Sequence, residues 1–332
     1  MRAVVLAGYG GPEVLEVVDV PPPLPGPDEI LVDVHHSALN RADVLQRMGL
    51  YADPRRAAGA PEIPGLEYAG VVAELGSRVT EWRVGDPVMG IESGGCYAEQ
   101  VATHARQALP VPAGLPLTDA AAVPEVFLTA WDALVVQGGL TSGRWGLVHA
   151  GGSGVGTAAI QIVKAIGGHV AVTCSAGKGA ACRALGADLV LERSPSDWPA
   201  ELRAGLAEHG RGDGVDVVLD VIGGEEADRN LGVVRSRGTI VQVGLMGGGS
   251  ATINVGQLLT KRVRWIGTVL RSRASEEKQA ISRRFAEEVL PLFTAGALRP
   301  VIDRRFPLEE VADAHRLMEA DANVGKLLLE IR

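Results

Sequence analysis

The sequence predicts an α/β protein in which a doubly wound parallel sheet is joined to a smaller, irregular β-barrel domain. Three observations lead to this prediction. A glycine-rich turn at 150–156 links a short apolar strand to an amphipathic helix, as in dinucleotide-binding sheets. Buried strands then alternate with helices as far as Val269. The first 122 residues instead hold short β-like runs broken by Gly and Pro.

The N-terminal region contains the β-like runs that predict the small barrel. They cover residues 3–6, 29–35, 70–75, 87–91 and 97–102. The proline-rich stretch 21–27 can form neither a regular helix nor a central strand, so we expect an extended surface connection there.

The glycine-rich turn is expected to hold the pyrophosphate of a dinucleotide. It reads Ala-Gly-Gly-Ser-Gly-Val-Gly from Ala150 to Gly156, and small residues let the backbone approach a phosphate. The next helix has one apolar face, and its free N–H groups favour an anion. Ser153 stands where the usual motif has its second glycine, and its hydroxyl can still bond a phosphate.

The parallel sheet is predicted from six buried strands with helices between them. The strands cover 146–149, 169–173, 188–191, 215–221, 239–243 and 265–269. A long helix is expected at 275–294, followed by strands at 301–306 and 326–331 on either side of a helix at 308–318.

Composition excludes several classes of protein. With 332 residues, 46% hydrophobic and 22% charged, the chain fits an ordinary globular protein of two domains. A formal net charge of -8 argues against a protein that mainly binds nucleic acid. Three cysteines without a close pair indicate a reducing compartment. No apolar run reaches the length of a membrane span, so no membrane partner and a cytoplasmic location are predicted.

Several strings resemble the zinc-independent quinone oxidoreductases of the medium-chain dehydrogenase/reductase superfamily, over nearly the whole chain. They lie at 38–43, 64–67, 148–162, 244–249, 270–273 and 323–326. The last three are most similar to the tumour-suppressor-inducible subgroup of the zeta-crystallin-like branch.

The resemblance implies an arrangement of domains that composition alone does not show. A GroES-like catalytic domain is expected at 1–122 and 297–332, and a Rossmann NADPH-binding domain at 123–296. The resemblance further implies a substrate cleft between the two domains and a homodimer joined through the edges of the cofactor-domain sheets.

Three positions argue against a catalytic metal. Matching by motif, the residues that hold zinc in other members of the superfamily are replaced here by Asn40, Leu66 and Glu125. One carboxylate and one amide do not make a tetrahedral zinc site, which favours thiolate or imidazole ligands. No metal is therefore expected.

The residues beyond the glycine-rich turn at 150–156, the phosphate cradle, favour NADPH over NADH. A sheet that binds NAD has an acidic residue about 20 residues after the glycines, but the stretch 172–178 contains no carboxylate. Ser175 and Lys178 can donate to a 2'-phosphate, and matching with the subgroup places Arg193 where a Tyr is typical. The alternative is that Lys178 and Arg193 are solvated surface charges.

The resemblance also implies which residues lie at the reacting end. Asn40 and Tyr51 are the expected catalytic residues, as hydrogen-bond donors that polarise the acceptor. Alternatively, Asn40 only forms a turn and Tyr51 only packs within a loop. Arg271 and Arg273 either border the pocket or form salt bridges at a dimer surface.

Two further sets of residues are expected to bind the cofactor. The phosphate set in the cradle comprises Gly152, Ser153, Gly154, Val155 and Gly156. The resemblance implies a nicotinamide set that comprises Thr129, Gly244, Leu245, Met246, Leu270 and Asn323. The alternative for the apolar members is simple packing.

These features predict NADPH-dependent, zinc-independent reduction of small-molecule quinones, by hydride or by single-electron transfer. NADPH-dependent reduction of an activated alkene, an enal or enone, is the alternative, because related proteins share the scaffold. An NADPH-binding redox sensor with little catalysis is an alternative of another class, which the presence of Asn40 and Tyr51 disfavours.

Overall fold

The computed structural model describes residues 1–51, 59–193 and 197–332, and these divide into two units. The first unit is Met1–Glu125 with Leu270–Arg332, and the second is Val126–Val269. The sequence-based boundary at 296 therefore differs from the observed one, because residues 270–296 belong to the first unit. Packing explains the difference. Arg271 and Lys278 are buried, and both bond to Ser93 of the first unit.

The bounds of the strands and helices follow in chain order. Among the described residues, the strands are β1 (Arg2–Leu6), β2 (Leu15–Asp19), β3 (Glu29–Ala38), β4 (Glu67–Leu75), β5 (Pro87–Ile91), β6 (Gln100–His104), β7 (Leu109–Pro110), β8 (Trp145–Val148), β9 (His169–Cys174), β10 (Leu189–Glu192), β11 (Val215–Asp220), β12 (Val234–Gln242), β13 (Arg264–Gly267), β14 (Ile302–Pro307) and β15 (Lys326–Glu330). The α-helices are α1 (Arg41–Arg47), α2 (Leu117–Ala120), α3 (Pro124–Trp131), α4 (Gly154–Ala165), α5 (Gly179–Ala184), α6 (Trp198–Glu208), α7 (Glu226–Val233), α8 (Val255–Lys261), α9 (Ser275–Glu288), α10 (Leu290–Thr294) and α11 (Val311–Glu319).

The second unit contains the predicted parallel sheet. Its six strands run in the order β10-β9-β8-β11-β12-β13, and every neighbouring pair is parallel. This is a doubly wound order: β9 and β10 are added on one side of the first strand, β8, and β11 to β13 on its other side. The turn after β8 therefore lies at the topological switch point, where such sheets bind their ligands.

Large aromatic side chains fill the core of the second unit. Trp145 on β8 and Trp198 on α6 are both buried, together with Leu147, Leu206 and Val218. The indole Nε1 of Trp198 donates to Glu226 Oε2 at 3.0 Å. Because this buried N–H has a partner, Trp198 packs without the cost of an unsatisfied donor.

The first unit is built around β3. The C-terminal strand β15 pairs with β3 and so lies next to the residues that follow β3. The main sheet has the order β14-β15-β3-β4-β5-β7, β6 also pairs with β3, and β1 and β2 form a separate pair. β15 lies antiparallel to β3, with Leu328 opposite Ala38. This register carries Lys326, the first residue of β15, to Asn40 just beyond β3.

Several elements differ in extent from their predicted bounds, among them the following three. The helix expected at 275–294 is divided into α9 and α10, because Pro291 at the start of α10 has no N–H to continue a helix. β12 begins at Val234 instead of Thr239, since an irregularity in its pairing with β11, which includes Arg237 at a φ of 59°, lets the strand extend. The strand expected at 97–102 is β6, at Gln100–His104.

None of the described helices is both long and apolar enough to cross a bilayer.

Candidate functional site

The turn between β8 and α4 has the shape that the sequence predicts for a phosphate cradle. Gly151 N–H donates to Thr173 O of β9 at 2.8 Å, and Ser153 N–H donates to Ala150 O at 2.9 Å. Ala150 has a φ of 56°, in the left-handed region that few residues other than Gly and Asn adopt. These bonds hold the turn close over the end of the neighbouring strand.

Three glycines of the turn have no room for a side chain. A Cβ on Gly151 would lie 2.7 Å from Val172 Cβ, and one on Gly152 would lie 2.7 Å from Lys178 Cδ. A Cβ on Gly156 would collide with the backbone oxygen of Ala150. Glycine is therefore required here by close packing as well as by the approach of a ligand.

Ser153 caps α4 and leaves a donor for a ligand. Gly156 N–H donates to Ser153 Oγ at 3.0 Å, which makes Ser153 the N-cap of the helix. Because the oxygen accepts this bond, the hydroxyl hydrogen can donate elsewhere. α4 is 12 residues long, and its positive end adjoins the cradle. The observed cradle fits the pyrophosphate of a dinucleotide.

The three residues expected at a 2'-phosphate meet at the ends of β9 and β10. Ser175 directly follows β9 and is exposed, and the stem of Lys178 lies over Gly152. Arg193 directly follows β10, and its N–H donates to Cys174 O at 2.9 Å. Glu192, the last residue of β10, adds one carboxylate at the C-terminal ends of these two strands. Lys178 and Arg193, with cationic side chains, and Glu192, with an anionic one, thus follow or end these two strands.

A buried polar chain beneath the cradle was missed by the sequence reasoning. His149 Nδ1 lies 2.8 Å from Thr173 Oγ1, and His149 Nε2 lies 2.7 Å from Asn230 Oδ1. Asn230 Nδ2 donates to Asp220 Oδ2 at 3.0 Å. The consistent assignment has Thr173 donating to His149, which donates to Asn230. This hydrogen-bond network connects the ends of β8, β9 and β11. Its only signal in the sequence is the polar residues at the strand ends.

The predicted nicotinamide residues of the second unit lie on the loop after β12 and on α3. Gln242 Nε2 donates to Gly244 O at 2.7 Å, and Met246 N–H donates to Val221 O at 3.2 Å. Leu245 and Met246 are 58% and 48% exposed, which disfavours simple packing within this unit. Thr129 Oγ1 is buried and makes no hydrogen bond to any described residue. An unsatisfied hydroxyl is costly, and a bound amide could satisfy it.

Asn40 is held by a buried ion pair that the sequence did not reveal. Lys326 Nζ donates to Asn40 Oδ1 at 2.8 Å and lies 2.7 Å from Glu67 Oε1. Asn40 Nδ2 donates to the same carboxylate oxygen at 2.9 Å and, at 3.4 Å, to Ala38 O. Glu67 Oε2 accepts from Glu125 N–H at 2.8 Å. The Asn40 amide therefore bonds mainly within the fold.

The helix after Asn40 contains a carboxyl group of perturbed acidity. Asp43 Oδ2 accepts from Asn40 N–H at 2.7 Å and from Tyr97 OH at 3.0 Å, whereas its buried Oδ1 has no partner among the described residues. Burial raises the pKa of Asp43 to about 6, against the opposing effect of the bond from Asn40. The carboxylate fixes the start of α1 in the manner of a capping box.

The donor set around Asn40 does not fit a zinc ion. Asn40 Oδ1 and Glu67 Oε1 both bond the ammonium of Lys326, whose positive charge opposes a cation beside it. Leu66 offers no ligand atom. Among the described residues, no group of three or more His, Cys, Asp or Glu side chains could hold a metal.

Tyr51 and Arg271 are in direct contact within the first unit. The Arg271 guanidinium lies 4.6 Å from the centre of the Tyr51 ring, and Nη1 donates to Tyr51 O at 3.0 Å. Arg271 is 5% exposed and forms no salt bridge in the part of the chain that the structure describes. Its hydrogen bonds go to neutral oxygens of its own unit, those of Ser93, Tyr51 and Gln46.

The two remaining predicted cofactor residues also lie in the first unit. Leu270 is half-buried at its boundary. Asn323 is buried, and its Nδ2 donates to Gly325 O at 2.8 Å. The structure thus brings the cradle, the strand-end donors, Thr129 and 244–246 together in one unit, and Asn40, Tyr51, Leu270 and Asn323 in the other.

Comparison with known proteins places both parts of the chain in described families. Residues 26–113 match the alcohol dehydrogenase GroES-like domain, and residues 185–329 match the family described as zinc-binding dehydrogenase. The synaptic vesicle membrane protein VAT-1 homolog of Rattus norvegicus is 31% identical over 349 residues, which cover 99% of this chain and 84% of the relative. The quinone oxidoreductase of Lama guanicoe is 30% identical over 336 residues, covering 100% and 98%.

Solved structures share the fold over their whole length. A quinone oxidoreductase of Escherichia coli complexed with NADPH has a TM-score of 0.88 at 27% identity, covering 99% of this chain and 100% of that one. An NAD-dependent alcohol dehydrogenase has a TM-score of 0.86 at 33% identity, covering 100% of both chains. CurK enoyl reductase has a TM-score of 0.87 at 27% identity, covering 100% and 99%. The predicted combination of a Rossmann sheet and a GroES-like domain is confirmed.

Proposed function

Since the chain belongs to the medium-chain dehydrogenase/reductase superfamily, in the branch of quinone oxidoreductases and VAT-1 homologues, we propose that it reduces quinones with NADPH and without zinc. The relatives support NAD(P)H-dependent oxidoreductase activity in general. The observation that carries the proposal is the cradle between β8 and α4, with two cationic side chains at the strand ends beside it.

The preference for NADPH rests on the charges beyond the cradle. Lys178 and Arg193 bring two positive charges to the edge formed by β9 and β10, and Ser175 adds a hydroxyl donor. Glu192 opposes a phosphate at that edge. Two cations exceed one anion, and a guanidinium can bind a phosphate through two N–H groups. The net charge of these side chains favours the cofactor that carries the 2'-phosphate.

A bound nicotinamide cofactor would supply the hydride. Residues of the protein would position the cofactor and polarise the acceptor. Thr129 Oγ1, buried without a partner among the described residues, would bond the carboxamide. Ser153 and the N-terminal N–H groups of α4 would hold the pyrophosphate. Such positioning is what hydride transfer mainly requires of a protein.

Tyr51 is the better candidate of the two predicted catalytic residues for polarising the acceptor. The Asn40 amide bonds Glu67 and Lys326, and only its bond of 3.4 Å to Ala38 O is weak enough to exchange for a substrate. We therefore assign Asn40 to fixing the start of α1 and Tyr51 to donating a hydrogen bond to the acceptor oxygen.

Zinc has no part in this proposal, although one matched family is described as zinc-binding. Of the three positions that match zinc ligands, Asn40 bonds the ammonium of Lys326 through its amide oxygen, and Leu66 offers no ligand atom. The carboxylate of Glu125 alone does not make a zinc site. Polarisation of the acceptor thus falls to hydrogen-bond donors.

Reduction of an activated alkene is the second candidate, since an enoyl reductase shares the fold over the whole chain at 27% identity. Both reactions take a hydride from the nicotinamide. They differ in whether the accepting carbon belongs to an enone or to a quinone ring.

Parallel assays of cofactor oxidation test the proposal. Purified protein is mixed with NADPH and, separately, with 1,2-quinones, 1,4-quinones and 2-alkenals, and the loss of NADPH absorbance is followed. The proposal predicts faster turnover with quinones than with alkenals. Turnover with alkenals alone would favour the alkene reductase, and NADPH binding without turnover of any acceptor would favour the redox sensor.

A further inference from the structure

Arg271 connects three separate segments of the first unit at Tyr51. Its Nε donates to Ser93 O at 2.6 Å and its Nη2 donates to Gln46 Oε1 at 2.8 Å. Its Nη1 donates to the Tyr51 carbonyl at 3.0 Å, and the guanidinium carbon lies over the Tyr51 ring. One side chain therefore fixes both the backbone and the ring of Tyr51.

Arg271 is itself rigidly anchored, as a positioning group must be. Ser93 Oγ donates to Arg271 O at 3.3 Å and accepts from Lys278 Nζ at 2.9 Å. Gln46, which accepts from Arg271, donates through Nε2 to Glu62 Oε1 at 3.0 Å. Arg271, Gln46 and Lys278 are all buried. The guanidinium can therefore move only if several buried hydrogen bonds break.

The charges near Tyr51 explain why a cation at its ring matters. Burial raises the pKa of the Tyr51 phenol, and the carboxyl groups of Glu125 and Asp43 raise it further. Arg271 lowers the pKa and opposes both carboxyl groups. A phenol of lower pKa is a stronger hydrogen-bond donor to a developing oxyanion.

We propose that Arg271 is a positioning residue that fixes the Tyr51 ring and strengthens its hydroxyl as a donor to the acceptor. This inference rests on the proposed role of Tyr51. It predicts that Arg271 acts on turnover through Tyr51, without contact to the substrate. A general effect on the stability of the first unit would instead impair turnover whether Tyr51 is present or not.

Two substitutions separate the charge of Arg271 from its hydrogen-bonding geometry. Arg271→Met removes the charge and keeps most of the apolar length. Arg271→Lys keeps a charge but loses the planar group over the ring and the fork of N–H donors. Arg305→Met is the control for the loss of another arginine of the first unit, one that bonds the carbonyl of Thr118 and the carboxylate of Asp119.

The first readout is the titration of the Tyr51 hydroxyl, which needs no substrate. Protein labelled with carbon-13 at the tyrosine ring carbon that bears the hydroxyl is titrated by NMR, and Tyr51→Phe identifies the Tyr51 signal. Arg271→Met should raise the pKa of Tyr51, and Arg271→Lys should raise it less. Arg305→Met should leave it unchanged. An unchanged Tyr51 titration in Arg271→Met would overturn the proposal.

The second readout is a double-mutant cycle on kcat with a quinone. Arg271→Met should lower kcat by about tenfold when Tyr51 is present, and by much less in the Tyr51→Phe background. Equal losses in both backgrounds would assign Arg271 a structural role and overturn the proposal. If Tyr51→Phe alone leaves kcat unchanged, the catalytic role of Tyr51 fails, while the NMR titration still decides whether Arg271 acts on the phenol.

Discussion

Lys178 supplies one of the charges on which the proposed preference for NADPH rests. Its stem packs over Gly152 of the cradle, and its position after β9 brings the ammonium to the edge where Arg193 also lies. A charge-assisted contact to a phosphate is lost completely when the ammonium is removed, whereas a hydroxyl at the same position offers little to an ammonium.

Lys178→Ala should weaken binding of NADPH by tenfold or more while sparing NADH, on the order of 1 to 3 kcal/mol. Dissociation constants for both cofactors, measured by fluorescence titration, check this prediction. Lys178→Met is the matched control, because it keeps the stem over Gly152 and removes only the charge. It should show the same selective loss. An equal loss for both cofactors would contradict the assignment.

His315 is a buried base in the core of the first unit that should impair stability in acid. It lies on α11, its ring meets Tyr97 edge-on at 6.1 Å, and neither ring nitrogen bonds any described residue. Burial, aided by Arg47, lowers the pKa of His315 to about 3. Between this pKa and the ordinary value of about 6.5, the unfolded chain binds a proton that the folded chain does not.

The free energy of unfolding should therefore fall by up to about 1.4 kcal/mol per pH unit from His315 as the pH drops below about 6.5. Asp43 acts in the opposite direction, because its pKa is raised to about 6 in the fold. Comparison with His315→Phe isolates the histidine. Urea unfolding at pH 7 and pH 5 should show the stability advantage of His315→Phe growing by about 2 kcal/mol at pH 5. A constant difference between the two proteins would contradict the account.

At the scale of elements, β13 is one edge strand of the parallel sheet, and α8, which packs against the neighbouring β12, precedes it in the chain. Among the described residues, β13 pairs with β12 alone. Nearby on α8, Val255 and Leu259 are 63% and 75% exposed. An unpaired edge strand beside apolar side chains is a surface that proteins usually cover. These features support the homodimer that the sequence resemblance implies, and we propose that it forms at this edge.

The double substitution Val255→Arg and Leu259→Arg should disrupt such a dimer, because four like charges would meet across a two-fold interface. Light scattering after size-exclusion chromatography should give the mass of two chains for the wild type and of one for the variant. Arg substitutions at Tyr9 and Leu24, two exposed apolar residues of the first unit, serve as the control. A single-chain mass for the wild type would refute the dimer.

Across the whole molecule, the local patterns were predictable and the long-range contacts were not. The six strands of the parallel sheet and the cradle follow from short apolar runs and a glycine cluster, which depend on nearby residues. The bond of Asn40 to Lys326 joins residues 286 positions apart, and that of Arg271 to Gln46 spans 225. No periodicity in the sequence indicates such pairs. The placement of 270–296 in the first unit escaped prediction for the same reason.

The most direct test of the central claim compares the two nicotinamide cofactors in quinone reduction. Initial rates are measured with one 1,2-quinone and increasing NADPH or NADH, with and without a zinc chelator. An NADPH-dependent enzyme without zinc should show a kcat/KM about tenfold or more higher for NADPH, as expected for one charge-assisted phosphate contact, and no effect of the chelator. A preference for NADH, loss of activity with the chelator, or no quinone-dependent oxidation of NADPH would contradict it.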